Sequence, residues 1–310
     1  LADLRKAVAT VRGLAAPFAA VHCHLPHDHA LARVALGGGP PAQPRARLVR
    51  SIRHPRHLRR DPFHLWLFRR TDAAALANSG MAAAWRRLDG GRERPAVVLP
   101  PAAGPPFAPG RDGGKVRRLL EIPGNAVVAG TVGKLHRQRG QDLLLHALAA
   151  APRVWGLIVG AGEYRTGLER LAGALGVGAR VRFAGYVEEG LADHYAAMDL
   201  FVFPAAGSDW GHRSIAEASS CGLPTVAADL PGVRDLVQEG ITGSLYPATD
   251  AAALAVVLRR WAGDGPRRSE AGRAAARRAA REWTPAALAS AAATLYPPAG
   301  PHPPGETHAR

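Results

Sequence analysis

The chain has 310 residues, 47% of them hydrophobic, and a formal net charge of +15; it is long enough for two domains with a large buried core and too apolar for a disordered tail. Its 35 glycines and 26 prolines stay below the level of an aperiodic low-complexity chain, and no apolar run reaches the roughly 18 residues of a membrane-spanning helix. Cys23 and Cys221 stand far apart in apolar surroundings, which excludes a disulfide framework and a paired-cysteine metal site and predicts buried free thiols.

The first residues, LADLRKAVATVRGLAAPF, read as an amphipathic helix without the short apolar core and cleavage site of a secretory signal, so the expected location is cytoplasmic. A strand follows over 20–23, a helix from Ala30, a strand over 48–51 and a helix around 65–70. A short strand over 75–78, a helix from Met81 and a strand over 96–99 complete this part. The basicity is concentrated here. Residues 1–120 carry 21 Lys and Arg against 7 Asp and Glu, whereas 121–310 carry 19 against 18. Only three of the forty basic residues are lysines, a bias that GC-rich coding also produces. The charge is densest over 45–70, where nine arginines and three histidines are interleaved with Phe63, Trp66 and Phe68. Such a segment favours an anionic partner, such as the anionic inner surface of a membrane contacted peripherally.

From Asn125 onward short β-branched runs alternate with helical stretches, the pattern of a parallel sheet covered by helices on both faces. Strands are expected over 127–132, 155–159, 181–184, 200–203, 225–227 and 244–246, and helices over 141–150, 164–175, 191–198, 213–221 and 251–262. The resulting organisation is a partial N-terminal Rossmann-like domain over 1–105, a Pro/Gly-rich linker over 106–124, and a C-terminal Rossmann-like domain over 125–265. Alanine-rich helices follow over 266–296 and a tail over 297–310.

Two strand-to-helix junctions of the second domain are suited to anions. After the strand ending at Val132 come Gly133, Lys134, Leu135, His136, Arg137, Gln138, Arg139 and Gly140. A glycine ends the strand there, and Lys134 and Arg139 can reach a pyrophosphate beside the next helix N-terminus. After Phe203 the chain runs through Gly207, Ser208, Asp209, Trp210, Gly211, His212 and Arg213 to Glu217. Gly207 and Gly211 free the backbone to approach a phosphate, and the following helix dipole favours negative charge. An arginine at position 213, near that helix N-terminus, is unfavourable without an anion nearby. Asp209 also suits a helix cap. Glu217 lies within Ile215-Ala216-Glu217-Ala218, where an unpaired carboxylate is costly; it needs hydroxyl or N–H donors, and a ribose offers two.

These residues resemble a retaining glycosyltransferase of family 4, with the two-Rossmann GT-B fold. The resemblance runs from Val21 to Tyr296 and is strongest between Val128 and Pro247. The family's Gly-Arg-Leu, three residues, Lys-Gly motif, which binds the donor diphosphate, is matched by Gly133-Lys134-Leu135 and Arg139-Gly140 with the two basic types exchanged. Its Glu, seven residues, Glu motif falls on Asp209 and Glu217, which the resemblance assigns to the donor sugar hydroxyls and the nucleotide ribose. The usual Gly-Phe-Gly is Trp210-Gly211-His212 here. Cys221-Gly222-Leu223-Pro224-Thr225 and Gly240-Ile241-Thr242-Gly243 follow the family closely. The resemblance also implies backbone contact with the base at Tyr186 and Val187, a donor contact from Arg213, and a first domain that supplies the acceptor site and a histidine facing the sugar, matched by His24. Lys134, Arg139, Asp209 and His24 are thus the expected catalytic residues.

The fold class implied is α/β, a GT-B fold with two parallel sheets and a truncated N-terminal domain, since such enzymes open with elements that precede the helix at Leu1. The reaction implied is transfer of a hexose-type sugar from a nucleotide diphosphate donor to a hydroxyl acceptor, such as a glycan, glycolipid or lipopolysaccharide, with retention and no metal or other cofactor. The histidines between Val21 and His29 with Asp28 also fit a zinc-ligand composition, but alternation along a strand sends successive side chains to opposite faces. Two rivals remain: a nucleic-acid or polyanion binder, which gives Asp209 and Glu217 no role, and a GT-B sugar-nucleotide epimerase or phosphorylase.

Overall fold

The computed structural model describes residues 2–15, 18–37, 46–88, 94–204 and 212–297. They form two units, Leu1–Leu99 with Ala289–Arg310, and Pro100–Leu288.

The first unit runs α1 (Ala2–Ala15), β1 (Ala20–Cys23), α2 (Pro26–Gly37), β2 (Arg47–Ile52), α3 (Pro62–Phe68), β3 (Ala73–Leu76), α4 (Ser79–Leu88) and β4 (Ala96–Val98). The four strands are parallel in the order β1-β2-β3-β4. Alternation along β3 divides the core. Ala73 and Ala75 pack with Val49 and with Leu295 from the returning C-terminal segment, while Ala74 and Leu76 face Ile52, Phe68, Met81 and Trp85.

Several elements of this unit begin earlier than the sequence predicts, and for three of them capping gives the reason. Strand β3 ends at Leu76 rather than 78 because Asn78 is spent on the next helix: its Oδ1 accepts from the Met81 N–H at 2.9 Å, the N-cap geometry of α4. Helix α2 starts at Pro26, not Ala30, and α3 at Pro62, not 65, because proline's fixed φ and missing N–H suit the first turn. Asp61 caps α3 by accepting from the His64 N–H at 3.0 Å. Asn78→Ala is therefore expected to cost about 1–2 kcal/mol, readable as a lower denaturant midpoint with an unchanged slope.

The second unit comprises α5 (Gly114–Leu119), β5 (Val127–Val132), α6 (Gln141–Ala149), β6 (Val154–Val159), α7 (Arg165–Ala174), β7 (Val181–Gly185), α8 (Leu191–Ala196) and β8 (Leu200–Phe203). It continues through α9 (His212–Ser220), β9 (Thr225–Ala228), α10 (Pro231–Arg234), β10 (Gly243–Tyr246), α11 (Ala251–Ala262) and α12 (Gly265–Glu282) to α13 (Pro285–Ala293), whose last residues group with the first unit. Its six strands are parallel in the order β10-β9-β8-β5-β6-β7.

Both faces of this sheet are covered, which explains the unbroken apolar runs of its strands. Leu200 and Val202 join Leu144 and Leu148 of α6 and Leu254, Leu258 and Trp261 of α11. Phe201 and Phe203 turn to the other face, with Tyr195 of α8, Ile215 and Ala216 of α9, and Ala279 of α12. The Pro/Gly-rich stretch before Asn125 packs on that second face instead of crossing solvent. Ala103, Val116 and Ile122 are buried in it and Phe107 lies against it. Gly113 permits the approach, since a Cβ there would stand 2.3 Å from the backbone of Ala196 and Ala197. No helix among the described residues is long and apolar enough to cross a membrane.

Candidate functional site

In an open parallel sheet a ligand crevice forms at the carboxyl ends of two adjacent strands whose onward connections run in opposite directions. Here those strands are β5 and β8: from β5 the chain proceeds to β6 and β7 on one side, and from β8 to β9 and β10 on the other. The two junctions singled out in the sequence follow these two strands.

At the end of β5, Gly133 turns with φ +155°, and its N–H donates to the Val159 carbonyl at 3.0 Å. Leu135 is buried and its N–H donates to the Ala161 carbonyl at 2.9 Å, which seats the loop on the segment following β6. Two glycines in that segment make room for it. A Cβ on Gly160 would stand 2.0 Å from the Gly133 carbonyl oxygen, and one on Gly162 would stand 2.1 Å from that of Leu135. His136 Nδ1 accepts from the Gln138 N–H at 3.2 Å and caps a short 3-10 turn, Arg137–Arg139. Gly140, at φ +73°, then starts α6. Buried Gln141 donates through Nε2 to the Lys134 carbonyl at 3.1 Å.

The cations of this loop differ in setting. Lys134 is exposed, with Nζ 3.9 Å from Glu163 Oε2, and His136 Nε2 is 3.5 Å from Glu163 Oε1. The Glu163 carboxyl is held below its usual range by its own backbone N–H, then by Lys134 and His136. Arg139 is half-buried, and burial lowers its pKa; a guanidinium partly out of water gains more from an anion than an exposed one.

Glu217 lies on α9, 6% exposed. The donors that the sequence demanded for it come partly from the protein. The Tyr195 hydroxyl donates to Oε2 at 2.9 Å, and Arg213 Nε donates to Oε1 at 2.8 Å. Arg213 is thus drawn to the N-terminal turn of α9 by a carboxylate one turn further on. Burial, and then the Glu217 carboxylate, raise the Tyr195 pKa well above its ordinary value, so the phenol remains a donor. Tyr195 was not anticipated as a site residue, nor were Gly160, Gly162, Glu163 and Gln141. The Gly160-Ala161-Gly162 spacing after a strand was the legible signal for the glycines.

Of the other expected residues, Tyr186 is exposed and Val187 packs against the core, directly after β7. Gly207, Ser208, Asp209, Trp210 and Gly211 lie outside the described residues, as does the side chain of His212. His24 belongs to the first unit, exposed just beyond β1, its ring stacked 4.4 Å from that of His22. His22 bridges Ser51 Oγ at 2.9 Å and the Tyr296 hydroxyl at 2.5 Å; burial first, then His24 and Arg50, bring its pKa down to about 4. Cys23 is a buried free thiol, which burial pushes up to about 11. Among the described residues no group of three His, Cys, Asp or Glu side chains is arranged to hold a metal ion.

The family model for glycosyl transferases group 1 matches residues 114–278, more than half of the chain and the part that carries both junctions. The chain belongs to this family. It is 37% identical over 190 residues to the D-inositol 3-phosphate glycosyltransferase of Geodermatophilus obscurus, covering 55% of this chain and 42% of that one. It is 30% identical over 208 residues to the lipopolysaccharide core biosynthesis glycosyltransferase LpsE of Rhizobium meliloti, covering 67% and 59%. The chain thus spans about half the length of the curated relatives it matches. In fold it is similar to Anabaena HepE, solved in complex with UDP and glucose, with a TM-score of 0.77 over 93% of this chain and 80% of that one at 23% identity. The α/β GT-B-like fold, with two parallel sheets and their helices, and the membership of a glycosyltransferase family therefore stand as the sequence predicts.

Proposed function

We propose that this family member transfers a hexose-type sugar from a nucleoside diphosphate donor to a hydroxyl acceptor, with retention at the anomeric carbon and without a metal ion. The supporting observation is the loop after β5, where Lys134 and half-buried Arg139 follow a left-handed glycine at the switch point of the sheet. Departure of the diphosphate develops negative charge, and preorganised cations with a helix N-terminus stabilise it as it forms. In this reading Gly133, the 207–211 backbone, His212 and Arg213 line the diphosphate. Ser208, Asp209 and Trp210 hold the sugar, Glu217 the ribose, and Tyr186 and Val187 the base. His24 is carried as a catalytic residue by the family resemblance alone. HepE, solved with UDP and glucose, supports this class of donor, and two relatives named as glycosyltransferases support the transfer.

The expected result is that one of a panel of UDP-, GDP- and ADP-sugars is consumed in the presence of EDTA, with a product of the donor's own anomeric configuration by NMR. Arg139→Ala should slow that reaction by about a hundredfold, the usual cost of removing one donor to a developing oxyanion. Loss of activity in EDTA restored by a divalent ion contradicts metal independence, and an inverted product contradicts retention.

On the acceptor side, the exposed arginines 53, 56, 59, 60, 69 and 70 with exposed Phe63 and Trp66 suit an anionic acceptor or lipid-linked one at an anionic membrane surface. The polyanion-binding alternative explains those arginines but leaves Glu217 and the β5 loop without a role.

A further inference from the structure

Arg50 belongs to the basic stretch but not to its surface. It lies on β2 and is 2% exposed. Its Nη1 donates to the Cys23 carbonyl at 3.1 Å, and no carboxylate of the described residues comes within ion-pair distance of it. A guanidinium stays charged and carries five N–H donors, so burial with one carbonyl partner among the described residues leaves most of that hydrogen-bonding capacity unmet and its charge offset only at longer range, by the Asp28 carboxylate, a costly state for a protein interior.

The guanidinium opens on a cavity of about 30 Å³, walled also by Pro26, His29, Ile52, His57, Phe63 and His64. The enclosed part holds a water or two; a tetrahedral group seats there only with some of its atoms in the open rim, and a sugar ring does not fit. The floor is buried at His29 and Ile52, while Pro26, His57, Phe63 and His64 form a partly exposed rim. His29 Nε2 is fixed by Thr71 Oγ1 at 2.8 Å. His64 Nδ1 is engaged by Asp61 Oδ2 at 2.7 Å, which leaves its Nε2 without a protein partner among the described residues. Asp28, in the first turn of α2, is directed to His27 at 3.6 Å and is half exposed. The formal charges that act on His29 and His57 are those of Arg50, Arg33 and Arg56, while Asp28 acts on Arg50 itself. Burial first, then Arg50, Arg33 and His64, bring the His29 pKa down to about 3, and burial followed by Arg56 and Arg50 lowers that of His57.

We propose that this cavity binds a tetrahedral oxyanion, a phosphate or phosphate monoester, with Arg50 as its buried counter-charge and His57 and His64 contacting it from the rim. The site lies wholly within the first unit and is independent of the donor reading. An ester arm leaves through the rim beside Phe63, and the first turn of the twelve-residue helix α2 at Pro26 adds its dipole.

Calorimetric titration of the full chain in chloride buffer, at constant ionic strength, tests this with inorganic phosphate and with glycerol 3-phosphate as probes. Saturable binding is expected, abolished by Arg50→Gln and weakened about tenfold by His57→Gln; Arg139→Gln, run beside them, identifies any phosphate bound at the separate β5 loop. Should Arg50→Gln not fold, the half-exposed rim variants His57→Gln and His64→Gln carry the test. Binding of both probes supports a phosphate monoester as ligand; binding of inorganic phosphate alone supports the free ion and overturns the ester form. No saturable binding, or binding that Arg139→Gln removes and the rim variants leave intact, overturns the proposal.

Discussion

Glu217→Ala is expected to remove nucleotide binding while leaving a folded protein. The carboxylate is 6% exposed and accepts from Tyr195 and Arg213, so it is already oriented and held on α9 before a ligand arrives. If it accepts two ribose hydroxyls as well, its loss removes charge-assisted hydrogen bonds worth roughly 1.5–3 kcal/mol each, and affinity should fall by about a hundredfold or more. The fold also loses something: the buried Tyr195 hydroxyl is left with the Ser214 carbonyl at 3.4 Å as its nearest acceptor, a cost of about 1–3 kcal/mol. Glu217→Gln separates the two effects. It keeps an acceptor for Tyr195 and most of the packing, but carries no charge and turns an amide towards Arg213 or the ligand. The expected order is stability close to the parent for Gln and lower for Ala, with nucleotide affinity poor in both. Denaturant unfolding beside calorimetry reads the two quantities separately, and parental affinity in Glu217→Ala refutes the ribose role.

Gly160→Ala should be strongly damaging at the carboxyl edge of the second unit's sheet. The residue adopts φ +137°, a conformation L side chains rarely enter, and the added Cβ would stand 2.0 Å from the Gly133 carbonyl oxygen. Backbone, not a flexible side chain, has to move. Gly133 begins the loop that carries Lys134 and Arg139, so the displacement travels directly to the proposed diphosphate cations. A cost of about 3 kcal/mol or more is expected from combined strain and clash, with a lowered melting temperature and loss of nucleotide-induced stabilisation. Gly173→Ala, on α7 with nothing within 4 Å of the added atom, is the matched control and should be neutral or slightly stabilising. Equal melting temperatures for the two variants would show that the loop does not depend on this contact.

How much of this was legible in the sequence follows from burial. Strands β1, β5 and β8 and helix α11 have the bounds the sequence predicts, because a mainly apolar run flanked by turn residues leaves little choice of ends. Strand β3 is nearly all alanine, which carries no β-branched signal, and its end was visible only through the capping role of Asn78. The Pro/Gly-rich stretch before Asn125 has the composition of a spacer, yet Phe107 meets Tyr195 edge-on at 5.8 Å between ring centres, a contact that no local pattern encodes.

At the candidate site, the positions set by a local pattern were readable: Gly133, Lys134, Arg139, Arg213 and Glu217 all lie after a strand end. Their partners were not. Tyr195 reaches Glu217 from a different helix, and Arg50 reads as one more surface arginine until β2 turns it inward. Periodicity ranks positions by exposure, but it does not say which buried polar group meets which.

The measurement that bears most directly on the central claim is calorimetric titration of the chain with UDP, GDP and ADP and with their sugar conjugates, run in parallel on Glu217→Ala. Saturable binding of one nucleotide and its conjugate, lost in the variant while the variant still unfolds cooperatively, is the predicted result. A cooperatively folded parent that binds none of them, or a variant that binds as well as the parent, would contradict the assignment of the β5–β8 edge as a nucleotide-sugar site.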